Sequence, residues 1–307
     1  MYLRVSLTDR CNLRCRYCLP EHARFAPERA STDELLRLTS LVCAEARVTK
    51  LRYTGGEPTL CPDLLTHVAH GAALVDGNVG LTSNGVTLAP LLAPLQHAGL
   101  RRLNISLDAP DAAGFAAITR RSEFAAVLAS IRHARELGFA PLKVNAVALP
   151  ETNYAGLLQL ACREGFHLRF IEVMAIGIAR ANHTADYVSA MTIRERLFDA
   201  GFSLLEATER DEPTARVWVV PDCDPRTTTV GFITTSSDPF CATCDRLRLT
   251  SQGHLHNCLF DPRGVDLLTP LRVGDEATAR ERIRAHVAAK APPAHFIRDA
   301  AMAAIGG

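Results

Sequence analysis

The sequence lacks the features that mark membrane, secreted and nucleic-acid-binding proteins. Its 34 Lys and Arg nearly balance its 33 Asp and Glu, so a formal net charge of +1 gives no strong global attraction to polyanions. No uninterrupted apolar run reaches membrane-spanning length, and Met1 leads straight into a strand-like segment without a secretory leader. Repeats and low-complexity segments are also missing. We therefore expect a cytoplasmic globular protein in which local groups of Arg and Lys hold any anionic ligand.

The chain is rich in hydrophobic residues and in cysteine. Its 307 residues are 48% hydrophobic, which suits one large domain or two smaller ones. Ten cysteines could form disulfides, but in a reducing cytosol grouped cysteines more often bind metal or act in catalysis. Several of the cysteines are grouped, so the sequence favours metal binding.

The first cysteine group stands near the N-terminus, directly after a strand-like run. Cys11, Cys15 and Cys18, here called the first trio, have the spacing C-x3-C-x2-C. An iron–sulfur cluster is usually held by four cysteines. Three ligands would leave one iron open, so the spacing predicts a cluster that also binds another molecule.

Strand-like and helical patterns alternate through the first two thirds of the chain. Residues 3–7, 51–54, 79–82, 103–107, 142–149 and 168–173 read as strands, separated by helical segments. Ser31-Thr-Asp-Glu34 is a capping-box pattern that predicts the start of the first helix. About six strand–helix units predict an α/β fold with a parallel sheet, either a partial (β/α)6 TIM-like barrel or, as the alternative, a doubly wound sheet.

The pattern changes from about Ala215, so a boundary is expected between roughly residues 200 and 215. Residues 217–220, 230–234 and 246–259 resemble antiparallel strands, and Ser251-Gln-Gly253 suits a hairpin turn. We therefore predict two regions, a barrel over 1–210 and a mainly antiparallel β extension over 211–307.

Polar and glycine-containing segments follow the predicted strands. Gly55-Gly-Glu-Pro58 follows the second strand, Ser83-Asn-Gly85 the third, and Ser106 and Asp108 the fourth. Ligands of parallel α/β folds bind at the carboxyl ends of the strands, and glycine lets a ligand approach the backbone. A Gly-Gly pair alone is as well explained by a simple turn. Several such segments at one edge of one sheet predict a ligand site there.

A second group of three cysteines lies in the C-terminal region. Cys241, Cys244 and Cys258, the second trio, include a C-x2-C pair of the kind found in zinc sites, and His254 or His256 would then complete the zinc shell. Because the first trio is also one ligand short, a second iron–sulfur cluster is the favoured interpretation.

Two sets of motifs carry a resemblance to a known family. Leu7-Thr-Asp-Arg-Cys11 through Cys18, with Gly55–Pro58 downstream, resembles the radical S-adenosylmethionine (SAM) superfamily. Phe240-Cys-Ala-Thr-Cys-Asp-Arg-Leu-Arg-Leu249, Asn257-Cys-Leu-Phe260 and the terminal Ile305-Gly-Gly307 are similar to the GTP 3′,8-cyclase family of molybdenum cofactor biosynthesis. This similarity covers nearly the whole chain.

The resemblance implies a reaction and its cofactors. Two [4Fe-4S] clusters would be held by the two trios, with SAM on the open iron of the first and the guanine of GTP at the second. Cleavage of SAM would give methionine and a 5′-deoxyadenosyl radical. That radical would remove the 3′ hydrogen of GTP, and the carbon radical would attack C8. The implied product would be (8S)-3′,8-cyclo-7,8-dihydroguanosine 5′-triphosphate, formed in the first step of the pathway.

The resemblance also implies the roles of individual residues. The SAM contacts would be Tyr17, Gly56, Ser106 and Met174. The GTP contacts would be Arg4, Arg52, Thr82, Lys143, Arg246 and Arg248. Arg4 and the tail residues Gly306 and Gly307 would be catalytic. The implied partners are an electron donor and, downstream, cyclic pyranopterin monophosphate synthase, and a homodimer is left open.

Each of these residues has a plainer alternative. Arg4 and Arg52 could be solvated charges beside strands, Lys143 an ordinary residue at a strand start, and Met174 part of the core. Ser106 and Thr82 could be local backbone partners, and the Gly-Gly tail a frayed end.

Four cysteines and two histidines fall outside the implied site. Cys43 and Cys162 lie in helical patterns and are predicted to be small buried side chains, while Cys61 receives no role. Cys223, as a fourth ligand of the second trio, would block GTP. His254 and His256 are predicted to be hairpin surface residues.

Two departures from the family pattern and two rival functions stay open. The first strand begins without the short leader of most relatives, and segment 175–191 lacks the usual Trp. One rival is another radical SAM enzyme with an auxiliary cluster. The other is a zinc-stabilised nucleotide-binding or regulatory protein without radical chemistry.

Overall fold

The computed structural model describes residues 1–26, 29–207, 214–262, 264–293, 297–299 and 302–305. The strands are β1 (Tyr2–Ser6), β2 (Lys50–Thr54), β3 (Val79–Ser83), β4 (Arg102–Ser106), β5 (Leu142–Ala148), β6 (His167–Glu172), β7 (Ala175–Ile176), β8 (Leu205–Glu206), β9 (Arg216–Val219), β10 (Thr229–Ile233), β11 (Arg246–Leu249), β12 (His254–His256), β13 (Val265–Asp266) and β14 (Ile297–Arg298). The helices are α1 (Thr32–Glu45), α2 (Leu64–Leu74), α3 (Leu92–His97), α4 (Ala112–Thr119), α5 (Phe124–Glu136), α6 (Tyr154–Glu164), α7 (Ala179–Asp186), α8 (Ala190–Asp199), α9 (Leu268–Arg272) and α10 (Glu276–Ala288). Within these ranges no helix combines the length and apolarity needed to cross a membrane.

Twelve strands form one sheet in the order β13-β12-β11-β1-β2-β3-β4-β5-β6-β10-β9-β8. The eight strands from β11 to β10 run parallel, and β12, β13, β9 and β8 add antiparallel edges. The predicted α/β fold with a parallel core and antiparallel C-terminal strands is therefore confirmed. The pair β14 and β7 stands apart from this sheet.

The direction of two C-terminal strands differs from the prediction. β10 and β11, expected to be antiparallel, pair in parallel with β6 and β1 and extend the six predicted parallel strands to eight. Both have fully buried apolar side chains, Val230 on β10 and Leu247 and Leu249 on β11, as the barrel strands do. A short buried apolar strand gives the same local pattern in a parallel sheet and in an antiparallel sandwich core. The hairpin at Ser251–Gly253 joins β11 to β12 as predicted.

Side chains alternate between the two faces of the parallel sheet. One face packs under the helices, and in the first four strands it consists of fully buried apolar residues: Leu3, Val5, Leu51, Tyr53, Val79, Leu81, Leu103 and Ile105. The residues between them point to the opposite face, which lines a cavity. This alternation explains how cationic residues can interrupt strands that otherwise form the core.

The first helix begins as its sequence predicts. The Glu34 N–H donates to the Ser31 hydroxyl at 3.2 Å, and the Ser31 N–H donates to the Glu34 carboxylate at 2.7 Å, which completes a capping box. Arg280 and Arg284 of α10 pair with Glu45 at the end of α1, at 2.6 and 2.8 Å. These ion pairs attach the C-terminal helix to the barrel, and as solvent-screened pairs they contribute little to stability.

Cys162 and Cys223 form a disulfide, which corrects the prediction for Cys162 and removes the alternative raised for Cys223. Cys162 lies on α6, and Cys223 lies in the loop that leads to β10. Because β10 pairs with β6, the strand that follows α6, its incoming loop passes over that helix. Cys162 is therefore not a free buried thiol, and Cys223 is not available to the second trio. Cys43 is buried, as predicted.

Candidate functional site

The inner faces of the parallel strands surround a cavity of about 970 Å³. Every predicted site residue that the structure describes lines this cavity: Arg4, Cys11, Cys15, Tyr17, Cys18, Arg52, Gly56, Thr82, Ser106, Lys143, Met174, Cys241, Cys244, Arg246, Arg248 and Cys258. Gly306 and Gly307 lie outside the described residues. The predicted residues thus lie together although they come from eight strands and their loops.

The loop of the first trio is fixed against the barrel. The N–H groups of Arg14 and Arg16 donate to the carbonyls of Thr119 and Ile118, both at 3.0 Å, at the end of α4. The Cys18 N–H donates to the Cys15 carbonyl at 2.9 Å, which closes a turn. The three thiols are therefore carried by a loop whose backbone is hydrogen-bonded, and all three are unpaired.

The environment of the first trio opposes free thiolates. Burial, and then Asp108, raise the pKa of Cys15 well above its usual value. Burial, followed by Cys11 and Asp108, raises the pKa of Cys18 to about 12. Thiolates form at such a place only beside strong positive charge, which the irons of a cluster supply. Three mutually close thiols that resist ionisation without a cation fit an iron–sulfur cluster.

The second trio borders the amino end of β11. Cys241 and Cys244 close a short turn in which the Cys244 N–H donates to the Cys241 carbonyl at 3.2 Å. Burial raises the pKa of Cys244, but the neighbouring Arg246 outweighs it and leaves that pKa below the usual value. Burial, then Cys258 and Cys244, raise the pKa of Cys241. The mutual effects mean that these three thiols are also close together, and they too are unpaired.

The histidines of β12 do not complete the second trio. Neither His254 nor His256 lines the cavity, and the His256 ring lies 3.1 Å from the Asp261 carbonyl and packs on Gly264. In the described ranges, no three His, Cys, Asp or Glu side chains are arranged to hold a single ion. A cluster places each cysteine on a different iron, so its ligands need not meet at one point. His256 is only 5% exposed, so its predicted surface position was wrong; the Gly264 loop covers it.

Tyr17 and Asp108 connect the first trio to the ends of β4 and β5. The Tyr17 hydroxyl donates to Asp108 Oδ2 at 2.6 Å, and the Val147 N–H donates to Asp108 Oδ1 at 2.8 Å. Burial raises the pKa of Asp108 to about 6, opposed by these two hydrogen bonds. Asp108 had no predicted role, although its position at the strand end was a signal for one.

The Gly-Gly segment lets two loops pass in contact. A Cβ atom on Gly56 would lie 2.3 Å from the Arg10 carbonyl oxygen, and the Gly56 N–H donates to the Thr8 carbonyl at 2.7 Å. Only glycine fits at position 56, because the loops after β1 and β2 approach each other closely there. The same residue also lies in the cavity wall. Met174 is partly buried against a small apolar cluster and also reaches that wall.

Glu57 and Asn84 organise the loops after β2 and β3. The buried Glu57 carboxylate accepts from the Ser83 hydroxyl at 2.8 Å and from the Asn84 N–H at 2.7 Å. The Asn84 side-chain amide in turn donates to Asn12 at 2.7 Å and to Cys11 Sγ at 3.7 Å. These contacts attach the first trio to the neighbouring strand loops, and sequence reasoning assigned a role to neither residue.

Cationic side chains lie side by side on the inner strand faces. Arg4 is in register with Arg248 on one side and Arg52 on the other. The Arg52 guanidinium donates to the Leu81 carbonyl at 2.8 Å and to the Thr82 hydroxyl at 3.2 Å. Burial lowers the pKa of Arg4 and Tyr2 raises it; with the further lowering by Arg52 and Arg246, that pKa is about 10. Such mutual repulsion makes this wall a site for a multiply charged anion.

The cationic wall extends beyond the predicted residues. The further polar side chains on the same inner positions include Tyr2, Lys50, Arg102, Asn145, His167 and Arg169. Every second residue of a barrel strand faces inward, so these residues could have been identified by counting in steps of two from the predicted site residues.

Comparison with known folds and sequence families defines the class of this protein. The radical SAM superfamily profile matches residues 5–161, and a profile described as Molybdenum Cofactor Synthesis C matches residues 166–296. The structure of Streptococcus suis SuiB bound to the precursor peptide SuiA superposes with a TM-score of 0.61 at 13% identity, covering 92% of this chain and 66% of that one. Native anSMEcpe with bound AdoMet gives a TM-score of 0.52 at 16% identity, over 65% and 59%. The chain is a radical SAM protein.

Sequence relatives narrow the assignment. A GTP 3′,8-cyclase from Mycobacterium sp. (strain KMS) is 41% identical over 321 residues, covering 99% of this chain and 90% of the relative. A GTP 3′,8-cyclase from Corynebacterium glutamicum is 39% identical over 326 residues, covering 99% and 86%. The chain therefore belongs to the GTP 3′,8-cyclase family.

Proposed function

We propose that this protein converts GTP to (8S)-3′,8-cyclo-7,8-dihydroguanosine 5′-triphosphate, the first step of molybdenum cofactor biosynthesis. The observation that carries the proposal is a single cavity with unpaired thiol trios at both ends of the same strands and a cationic wall between them. The first trio follows the carboxyl end of β1, and Cys244 precedes the amino end of the parallel β11. A five-residue strand separates these ends by about 16 Å.

The cofactor assignment follows the two trios. Cys11, Cys15 and Cys18 would hold one [4Fe-4S] cluster together with SAM, and the second trio would hold another beside the guanine. When bound, the first cluster and SAM supply one-electron cleavage of SAM and removal of a hydrogen atom. The protein would hold the cysteine thiols in buried positions, where the positive charge of the irons favours their ionisation to thiolates. Tyr17 and Ser106 would line the part of the cavity that binds SAM.

The cationic wall would bind the triphosphate. A nucleoside triphosphate carries up to four negative charges, and Arg guanidinium groups donate in pairs to phosphate oxygens while Lys acts as a point charge. The proposed contacts are Arg4, Arg52, Thr82, Lys143, Arg246 and Arg248. With the phosphates on this wall and the guanine near Cys258, the ribose lies between the base and the first trio, as removal of its 3′ hydrogen requires.

The C-terminal tail is part of the proposal. Met302 and Ala303 line the cavity, and the backbone of Ala303 hydrogen-bonds Cys18. This position of the described residues supports a catalytic role for Gly306 and Gly307, together with Arg4. The proposal also implies an electron donor and a downstream cyclic pyranopterin monophosphate synthase that takes the product.

Metal analysis and a coupled cleavage assay test the proposal. Anaerobically reconstituted protein should contain about eight irons per chain, and Cys244→Ala about four, because each [4Fe-4S] cluster holds four. With reductant and SAM, GTP should stimulate 5′-deoxyadenosine formation and ATP should not. Zinc in place of iron would support the rival nucleotide-binding protein. Iron with deoxyadenosine formation that is indifferent to GTP would support a radical SAM enzyme with another substrate.

A further inference from the structure

Tyr2 lies at the centre of the cationic wall. As the first residue of β1, it is in register with Arg246 of β11 and Lys50 of β2. The Arg52 Nε–H donates to the Tyr2 hydroxyl oxygen at 2.7 Å, and the Lys50 ammonium lies 5.0 Å from the centre of the Tyr2 ring. The ring lines the same cavity as the proposed GTP contacts. A phenol thus occupies a place where the side chains with the largest electrostatic effects on it, Arg52, Arg4 and Lys50, are all positive.

The charges around Tyr2 come from four strands. Its own strand contributes Arg4, and the adjacent β2 contributes Lys50 and Arg52. Arg248 of β11 and Arg102 of β4 also act on it, and the Asp245 carbonyl accepts its N–H at 3.1 Å.

The balance of these effects favours the phenolate. Burial raises the pKa of Tyr2, but Arg52, Arg4 and Lys50 outweigh it and bring that pKa to about 7. In the free protein the hydroxyl is therefore ionised in a large fraction of molecules near neutral pH.

We propose that Tyr2 is a built-in counter-charge of the triphosphate site, ionised in the free protein and protonated when GTP binds. This inference rests on the proposed function, because the guanidinium groups that hold the phenolate are the proposed triphosphate contacts. Upon binding, the phosphate oxygens take over those cations and repel the phenolate. One proton passes from solvent to the Tyr2 oxygen, and no other bond forms or breaks. In the empty site the phenolate reduces the repulsion among the neighbouring cationic side chains. Because its protonation is driven by the bound phosphates, the number of protons taken up depends on the charge of the ligand.

The proposal predicts the direction in which GTP affinity changes with pH. The pKa of Tyr2 is about 7 in the free protein and higher beside a bound triphosphate, because two anions disfavour each other. GTP therefore binds best below pH 7, where Tyr2 is already protonated. Above pH 7 its affinity falls by up to tenfold per pH unit until the pKa of the complex is reached. A guanosine ligand with fewer phosphates should cause less proton uptake.

Calorimetry of GTP binding tests this inference on the anaerobically reconstituted protein. Titrations at pH 8 in two buffers of different ionisation enthalpy give the number of protons taken up. We expect close to one more proton for the wild type than for Tyr2→Phe, and about tenfold tighter GTP binding by Tyr2→Phe at pH 8 but not at pH 6. Tyr187→Phe, which removes a hydroxyl outside the cavity, should behave as the wild type.

A variant with a permanent negative charge at position 2 distinguishes an effect of Tyr2 protonation on GTP binding from a general disruption of the fold. Tyr2→Glu should bind GTP weakly at both pH values without the extra proton. Equal proton uptake and equal pH dependence in the wild type and Tyr2→Phe, with both proteins binding GTP and fully loaded with iron, would overturn the role of Tyr2 and leave the proposed function intact. Failure of the loaded wild type to bind GTP at all would instead reject the proposed function.

Discussion

Asn84 donates a hydrogen bond from its side-chain amide to the sulfur of Cys11, at 3.7 Å. Its backbone N–H is held at 2.7 Å by the buried Glu57 carboxylate, and its amide also bonds Asn12. The loops after β1, β2 and β3 therefore meet at one thiol of the first trio. Hydrogen bonds to cluster sulfurs stabilise the more negative, reduced state and set the reduction potential.

We predict that Asn84→Ala lowers the reduction potential of the first cluster and weakens its iron binding or activity by about tenfold or more. The control is Asn78→Ala, because the Asn78 side-chain amide donates to the Thr49 carbonyl in an outer turn. An anaerobic redox titration followed by electron paramagnetic resonance measures the potential. Equal potentials in Asn84→Ala and the wild type would contradict a role for this hydrogen bond.

Gly80 makes room for Arg52 in the cationic wall. A Cβ at this position would lie 2.9 Å from Arg52 Nη2, so Gly80→Ala should displace the guanidinium. Losing one charged hydrogen bond costs about 1.5–3 kcal/mol, which corresponds to a rise of about 10- to 100-fold in KM for GTP. SAM binding should be unchanged. Gly77→Asn is the control, since nothing lies within 4 Å and Asn tolerates the positive φ of that turn. An unchanged KM in Gly80→Ala would show that Arg52 does not contact GTP.

The Cys162–Cys223 disulfide joins residues separated by 61 positions. A cross-link of this length typically contributes about 2–4 kcal/mol to stability, so Cys223→Ala should lower the free energy of unfolding by that amount. Both clusters should remain, because neither cysteine belongs to a trio. Denaturant unfolding and iron analysis of the same sample measure the two effects. Loss of about four irons from Cys223→Ala would mean that Cys223 is a cluster ligand after all.

His67 is a buried histidine that should destabilise the protein in acid. Burial lowers its pKa to about 4 from an ordinary value of 6.5, so the unfolded chain binds the proton more tightly than the folded one. The stability that depends on neutral His67 is complete above pH 6.5 and is lost as the pH falls towards 4. At pH 5 the loss amounts to about 2 kcal/mol. His67→Leu should show a smaller drop between pH 7 and pH 5, and an equal drop would contradict the assignment.

The main strands and the two cysteine trios could be predicted from the sequence. The pairing of segments that are distant along the chain could not. Strands such as β1 and β5 could be predicted because apolar and polar residues alternate locally. The direction of β10 and β11 could not, because it depends on which neighbours they join. The partner of Cys162 follows from that same pairing, 61 residues along the chain.

In the candidate site, too, some residues could be predicted from the sequence and others could not. Arg4 and Arg248 could be assigned by resemblance, and the structure places both in one row. Tyr2 and Lys50 escaped prediction because a phenol or ammonium at a strand start is ordinary until the register brings cations to both sides. Asn84 was missed because its contact with Cys11 spans two strand loops.

The most direct test of the central claim follows one hydrogen atom. Anaerobically reconstituted protein is incubated with reductant, SAM and GTP carrying deuterium at C3′, and the 5′-deoxyadenosine is analysed by mass spectrometry. The account predicts that deoxyadenosine gains one deuterium while a cyclised GTP product accumulates in equal amount. Deoxyadenosine without deuterium, or deuterium retained entirely in unreacted GTP, would contradict it.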